Sequence, residues 1–231
     1  MTENYTKSVL NARHCSKEKI KKEYPKTLEI LSLIDKYFTS LINRLEKVSG
    51  TGDIDNYKYA LTVSFIRTQL IISEHILNSE LIEVSVLERK QIELIARFSE
   101  IDKKIPKKES IRKLIGKTPN VGNGNLSENL KGMYGMFSEI THSSKTEPFA
   151  LLVEKRTDNS IEYSVLPEYD SKNIAVALNN HIQVFFDFVI YMLSFQKEII
   201  PNYDVDNDME LINSLLEVGK TSKLTVFDRF K

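Results

Sequence analysis

Residues 170–199, DSKNIAVALNNHIQVFFDFVIYMLSFQKEI, predict a long helix with one broad apolar face. Asp170 or Ser171 can cap its first turn, and Pro201 lies just beyond its end. The apolar side chains that recur at helical spacing are Ile174, Leu178, Ile182, Phe185, Phe186, Val189, Ile190 and Leu193. Within it, the apolar run 184–195 is interrupted by Asp187 and is too short to cross a bilayer. We therefore interpret the segment as a core helix and expect no membrane association.

Outward from this helix, the rest of the chain has the same periodicity in several segments. We predict long helices from Pro25 to about 49, from Asp53 or Asp55 to about 78, from about 79 to 103 and from about 125 to 142. Two β-rich runs that flank a turn predict a hairpin at about 149–166. The predicted fold class is mainly α, a helical bundle of four to five long helices with a small β-hairpin insertion. The predicted organisation is a polar N-terminal arm (1–24), the bundle domain (25–200) and a short C-terminal helix and tail (201–231).

The composition excludes several classes of protein. In 231 residues, 32 Lys and Arg balance 32 Asp and Glu, so no overall positive field indicates a nucleic-acid or membrane partner. The single cysteine, Cys15, cannot form an internal disulfide, and the N-terminal stretch lacks the apolar core of a signal peptide. We expect a cytoplasmic protein.

Two apparent ligand motifs fail on inspection. The Gly116-Lys-Thr triplet lacks the glycine that a phosphate-binding loop needs five residues earlier, where Ile111 stands. The alternating aspartates from Asp204 lack the later glycine and acid of a calcium loop, because Met209 and Leu215 occupy those positions. We therefore expect no metal site and no cofactor.

The helix predicted at 125–142 carries three hydrogen-bonding side chains on one stripe. Tyr134, Ser138 and His142 fall at i, i+4 and i+8, so they span about 12 Å along the helix axis. Arg89 and Glu93 lie one turn apart on the preceding long helix. On a surface such a pair contributes only about 0.3–0.5 kcal/mol, whereas inside the bundle Arg89 would be a permanent cation that needs polar partners.

The densest basic cluster immediately precedes the Tyr/Ser/His helix. It consists of Lys107, Lys108, Arg112, Lys113 and Lys117, beside Lys104. One interpretation is a solvated loop, because runs of charge are usually exposed to water. The other is a surface that contacts the phosphate backbone of a nucleic acid.

Taken together, Arg89-x-x-x-Glu93 and, 41 residues after Glu93, Tyr134-x-x-x-Ser138-x-x-x-His142 resemble a group of helical proteins of bacteria and phages. That group is similar in outline to the HEPN superfamily of nucleotide-associated helical bundles. The resemblance covers about residues 72–152. It implies a helical core, a homodimer and, in members that act as toxins or phage-defence effectors, metal-independent RNA cleavage by an Arg and a His in an Arg-x4–6-His motif.

This chain departs from that motif. Gly135, Met136 and Phe137 stand at the positions where the arginine would precede His142. Arg89 can replace it only if its helix packs beside the Tyr/Ser/His helix.

Two function hypotheses follow. In the first, the polar residues form a buried network in a non-catalytic interaction module, whose surface binds a protein partner or a second copy. The second is a ribonuclease: His142 acts as acid or base, Arg89 stabilises the phosphorane, Tyr134 and Ser138 orient the phosphate, and Glu93 holds Arg89. The displaced arginine favours the first hypothesis. Solvent access to Arg89 and His142 distinguishes the two.

Overall fold

The computed structural model describes residues 4–48, 52–104, 112–122, 126–142, 151, 153–156 and 160–230. Its α-helices are α1 (Tyr5–Glu23), α2 (Thr27–Leu45), α3 (Asp53–Leu77), α4 (Leu81–Lys104), α5 (Arg112–Ile115), α6 (Glu128–His142), α7 (Ser171–Ile199) and α8 (Asp206–Lys220). A 3₁₀ helix follows at Thr225–Phe230. The predicted mainly helical class is confirmed.

The predicted number of long helices was too low. Seven of the described helices have 15 or more residues, against the four to five predicted. The additional ones include α1 and α8, which are largely polar and show only a few core-facing residues in sequence. Ile20 of α1 and Leu215 of α8 are buried against the bundle, and this tertiary packing stabilises both helices.

Helix α7 lies at the centre of the hydrophobic core. The Asp170 carboxylate accepts a hydrogen bond from the Asn173 backbone N–H at 2.7 Å, which caps the first turn. In the middle of α7, the Phe188 ring stacks on Phe65 of α3 with 3.7 Å between ring centroids, and Phe185 meets Phe38 of α2 edge to face at 5.6 Å. Buried aromatic pairs of this kind add about 0.5–1.5 kcal/mol each to the hydrophobic contribution.

Among the described helices, α7 alone has the length and apolar composition that would allow a membrane span. More than half of the relevant stretch is buried inside the protein. Core helices of soluble proteins meet the same criterion, so composition does not separate the two cases.

A buried ion pair attaches α8 to the bundle. The Asp208 carboxylate is fully buried and pairs with Arg44 of α2. The Gln196 side chain of α7 donates to Asp208 at 2.9 Å and accepts from Arg44 Nε at 2.7 Å. Every charged partner is therefore matched, as a buried ion pair requires.

Two short strands, β1 (Val153–Arg156) and β2 (Ile161–Tyr163), pair antiparallel, with Val153 opposite Tyr163 and Arg156 opposite Ile161. Residues 143–150, 152 and 157–159, which include the predicted turn, lie outside the described part of the chain. The hairpin insertion at about 149–166 therefore stays a prediction.

The packing of the C-terminal 3₁₀ helix against α8 can be tested by substituting a glycine at their contact. A Cβ atom at Gly219 of α8 would overlap the ring of Phe227, which is fully buried, whereas a Cβ atom at Gly132 of α6 would meet no atom within 4 Å. We expect Gly219→Ala to lower the free energy of unfolding by about 1–3 kcal/mol, as overpacking does. Gly132→Ala, the matched control, should raise it by about 0.5–1 kcal/mol through helix propensity. Urea denaturation measures both; equal effects would contradict the packing.

Candidate functional site

Helix α6 packs along α4. This packing brings the predicted Arg89/Glu93 pair beside the predicted helix that carries Tyr134 and His142. Ser127 caps α6, because its Oγ accepts a hydrogen bond from the Leu130 N–H at 3.2 Å. Leu130 and Phe137 are buried and hold one side of α6 in the core. Tyr134 and His142 consequently face α4 at the level of Arg89.

The Arg89 guanidinium lies at the centre of a polar cluster whose other members are Glu93, Tyr134, Thr141 and His142. Its Nη1 lies 3.2 Å from Nε2 of His142 and donates to the Thr141 hydroxyl at 2.8 Å. Its Nη2 donates to the Tyr134 hydroxyl at 3.5 Å, and the guanidinium carbon lies 5.3 Å from the centre of the Tyr134 ring. Cation–π attraction therefore adds to the hydrogen bonds that orient Arg89.

Glu93, on the same helix, positions the Arg89 guanidinium. Its Oε1 lies 3.4 Å from Nε of Arg89 and accepts a hydrogen bond from the Tyr134 hydroxyl at 3.1 Å. The Arg89 Nε is buried and makes no hydrogen bond itself. The carboxylate thus balances the guanidinium charge and leaves the Nη atoms directed toward α6.

The His142 tautomer follows from its contact with Arg89. A guanidinium N–H can only donate, so Nε2 of His142 is the acceptor, and a neutral imidazole carries its proton on Nδ1. His142 lies on the exposed end of α6, and the Arg89 and Glu93 side chains keep 23% and 27% of their surface accessible. The cluster therefore opens to solvent rather than being sealed under apolar side chains.

Ser138 does not take the place in the cluster that was predicted for it. The Ser138 hydroxyl is buried without a hydrogen-bond partner, and no hydrogen bond joins it to Arg89. Thr141 occupies that role: its hydroxyl accepts from Arg89 and donates to the Ser138 carbonyl at 3.1 Å. Sequence reasoning missed Thr141, although its position seven residues after Tyr134 returns it to the same side of the helix.

The predicted basic cluster is described only in part. Lys107 and Lys108 lie outside the described residues, as do the side chains of Arg112 and Lys113. Lys117 is exposed, and its backbone carbonyl accepts a hydrogen bond from the buried guanidinium of Arg97. The nucleic-acid surface therefore stays a prediction.

A second polar cluster, entirely buried, links α3, α4 and α7. The Gln91 amide donates to Oε1 of Gln69 at 2.6 Å, and Nε2 of Gln69 donates to Nε2 of His181 at 2.9 Å. Burial lowers the pKa of His181 to about 3, so this imidazole is neutral at pH 7. The His181 side chain is completely buried.

Glu88 is the most unusual group beside this cluster. It is fully buried, both of its carboxyl oxygens lack a hydrogen-bond partner, and burial raises its pKa well above the ordinary 4.5. A signal for this was present: Val84, Glu88, Gln91 and Ile95 step by 4, 3 and 4, which places Glu88 and Gln91 on the core-facing stripe of α4. In the described part of the chain, no three His, Cys, Asp or Glu side chains meet closely enough to hold a metal ion.

Comparison of the chain with models of protein families, with curated proteins and with solved structures found no match. The class that the fold and cluster define is therefore a helical bundle with a solvent-open Arg/Glu/Tyr/Thr/His cluster between two packed helices.

The exposure of the cluster leads to a stability prediction. Partly exposed ion pairs and hydrogen bonds contribute about 1 kcal/mol or less. We expect Arg89→Met and Tyr134→Phe each to lower the free energy of unfolding by less than about 1 kcal/mol in urea denaturation. A loss of about 3 kcal/mol or more would instead indicate a buried structural network.

Proposed function

We propose that this protein is a metal-independent endoribonuclease and that Arg89 and His142 act on the phosphodiester. The observation that supports this is the 3.2 Å contact between the two side chains at a position open to solvent. A guanidinium and an imidazole at this separation can engage the same phosphate, because its non-bridging oxygens and the adjacent ribose hydroxyl lie within a few ångströms of each other. The resemblance to the HEPN superfamily predicts the same chemistry.

His142 is the proposed general base. When a phosphate diester binds to Arg89, it takes over the guanidinium N–H groups and leaves the Nε2 lone pair of His142 available. Nε2 then removes the proton of the ribose 2′-hydroxyl, and the 2′-oxygen attacks phosphorus. The bond from phosphorus to the 5′-oxygen breaks, and that oxygen takes a proton from solvent. The products are a 2′,3′-cyclic phosphate and a 5′-hydroxyl end.

Arg89 is proposed to stabilise the negative charge that develops on the phosphorane oxygens. A fixed planar fork of N–H donors suits this role, since it can bind two phosphate oxygens at once. Glu93 and Tyr134 act as positioning residues through their contacts with Arg89. Thr141 holds the edge of the guanidinium nearest His142, and the described contacts give Ser138 no part in this step.

Substrate affinity is proposed to come from the basic segment before α6. Each lysine or arginine that neutralises a phosphate releases counterions, and this strengthens binding at low salt. Lys117 is exposed, as such a contact needs. Lys107, Lys108, Arg112 and Lys113 are proposed to contribute further contacts with the RNA backbone.

The proposed reaction predicts a matched pattern of losses. With fluorescent single-stranded RNA in the presence of EDTA, His142→Ala should lower kcat/KM by about 10²–10⁴-fold because the proton acceptor is lost. Arg89→Ala should lower it by about 10²–10³-fold because the phosphorane loses its donor. The cleaved RNA should carry 2′,3′-cyclic phosphate ends.

Two exposed residues on other helices serve as controls for the loss of an imidazole and of a cation. His14→Ala on α1 and Lys36→Ala on α2 should leave the cleavage rate unchanged. The ribonuclease proposal fails if the wild-type protein does not cut RNA, or if folded His142→Ala protein cuts it at the wild-type rate.

A specific surface supports the alternative function, an interaction module that forms a homodimer. Tyr59, Val63, Leu70 and Ile71 lie on the outer face of α3 with 37–48% of their surface exposed. Tyr59, Val63 and Leu70 recur at i, i+4 and i+11, so they form one apolar stripe. A contiguous apolar stripe on one helix suits a two-fold contact, in which the same stripe of a second copy covers it.

The homodimer proposal predicts the effect of a charge in the stripe. Val63→Lys should convert a dimer into a monomer in sedimentation velocity, because the buried ammonium would lack a partner. Val165→Lys introduces the same charge at an exposed valine outside α3 and should leave the dimer intact. The proposal would be contradicted if the wild-type protein sedimented as a monomer over a 100-fold range of protein concentration.

A further inference from the structure

A cavity of about 150 Å³ lies between α4, α6 and α7. Its inner wall includes Val84 and Phe137, which are 2% exposed, whereas Met136 and Val176 on its outer wall are 40% and 45% exposed. The cavity therefore reaches from the surface into the core. Its wall is mostly apolar, as small-molecule sites usually are.

Glu88 supplies the polar group at the inner end. It is 0% exposed, it lines the cavity, and neither carboxyl oxygen has a hydrogen-bond partner. Desolvation raises its pKa well above 4.5, which favours the neutral acid. A neutral carboxyl presents an O–H donor and a carbonyl acceptor on a single edge.

Among the described residues, none is hydrogen-bonded to the carboxyl of Glu88. The polar residues nearest to it along α4 have other partners: Ser85 donates to the Leu81 carbonyl at 2.9 Å, Gln91 bonds to Gln69, and Arg89 faces α6. A buried polar group without a partner destabilises the folded protein, and an apolar residue of similar size would avoid that cost. A ligand with a matching donor and acceptor would supply both missing hydrogen bonds.

We propose that this cavity binds a small, neutral, single-ring molecule whose amide-type edge pairs with the carboxyl of Glu88. The volume sets the size, because a cavity of about 150 Å³ accommodates one six-membered ring. The carboxyl sets the chemistry: its donor and acceptor match the acceptor and donor of a cis amide. A cation is disfavoured, because the described wall holds no second acid and both ions would lose their hydration.

The probe that tests this is 2-pyridone, a six-membered ring with a cis amide edge. Calorimetric titration of the full chain should give 1:1 binding. N-Methyl-2-pyridone keeps the ring and the carbonyl but lacks the N–H, so it should bind at least tenfold more weakly. Toluene reports the contribution of the apolar wall alone and should also bind more weakly than 2-pyridone.

Two substitutions assign the binding to Glu88. Glu88→Gln keeps one donor and one acceptor at the same place and should retain the affinity for 2-pyridone within about threefold. Glu88→Leu removes both and should weaken 2-pyridone at least tenfold while it raises Tm and leaves toluene binding in place. Both variants are isosteric enough to keep the fold, and far-UV circular dichroism checks this.

Three results would overturn the proposal. The first is no binding of 2-pyridone to the wild-type protein at millimolar concentration, and the second is unchanged 2-pyridone affinity in Glu88→Leu. The third is tighter binding of benzamidine, a cation of similar shape, than of 2-pyridone, with loss of benzamidine binding in Glu88→Gln. That pattern would define an ion-pairing site with an ionised Glu88. The binding readout is independent of RNA cleavage, so this site and the ribonuclease stand or fall separately.

Discussion

Burial of α7 is the constraint on which the rest of the bundle depends. This helix is 29 residues long, and its middle carries two buried aromatic side chains, Phe185 and Phe188, that no single neighbour can cover. Helices α2 and α3 supply the aromatic rings that pack against it, and α4 covers a further side. Because the hydrophobic gain scales with the apolar area removed from water, these contacts dominate the stability of the fold. The contact between α4 and α7 also fixes the rotation of α4 about its axis, and so decides which of its side chains face α6.

Helix α4 carries buried polar groups on one side and solvent-accessible polar groups on the adjacent side. One side faces α7 and carries Glu88 and Gln91, whose polar groups lie in the core. The adjacent side faces α6 and carries Arg89 and Glu93, which keep part of their surface in water. Two neighbouring residues, Glu88 and Arg89, thus experience opposite environments, since successive side chains on a helix point about 100° apart. Desolvation raises the pKa of the acid and favours its neutral form, whereas the guanidinium stays charged beside a carboxylate.

The same Arg89 contacts serve both proposed functions to different extents. Hydrogen bonds that the guanidinium donates to Tyr134 and Thr141, together with the ion pair with Glu93, hold it in one orientation, as a network that fixes helix register would. Preorganisation of that kind is also what phosphorane stabilisation needs, because the donors are already in place when charge develops. What separates the two is exposure. His142 stands at the accessible end of α6, where a purely structural histidine gains little from its contact with Arg89.

The sequence by itself determined the helical class, the broad apolar face of α7, the Arg89/Glu93 pair and the Tyr134/Ser138/His142 stripe, because each depends on periodicity within one segment. A spacing of four residues places Arg89 beside Glu93, and a spacing of eight places Tyr134 on the stripe of His142, whatever the rest of the chain does. Only the tertiary structure decided that α4 lies against α6, that Thr141 rather than Ser138 bonds to Arg89, and that Glu88 is sealed in the core. Those outcomes depend on which helices meet and at what rotation. Long-range packing sets both, and local periodicity constrains neither.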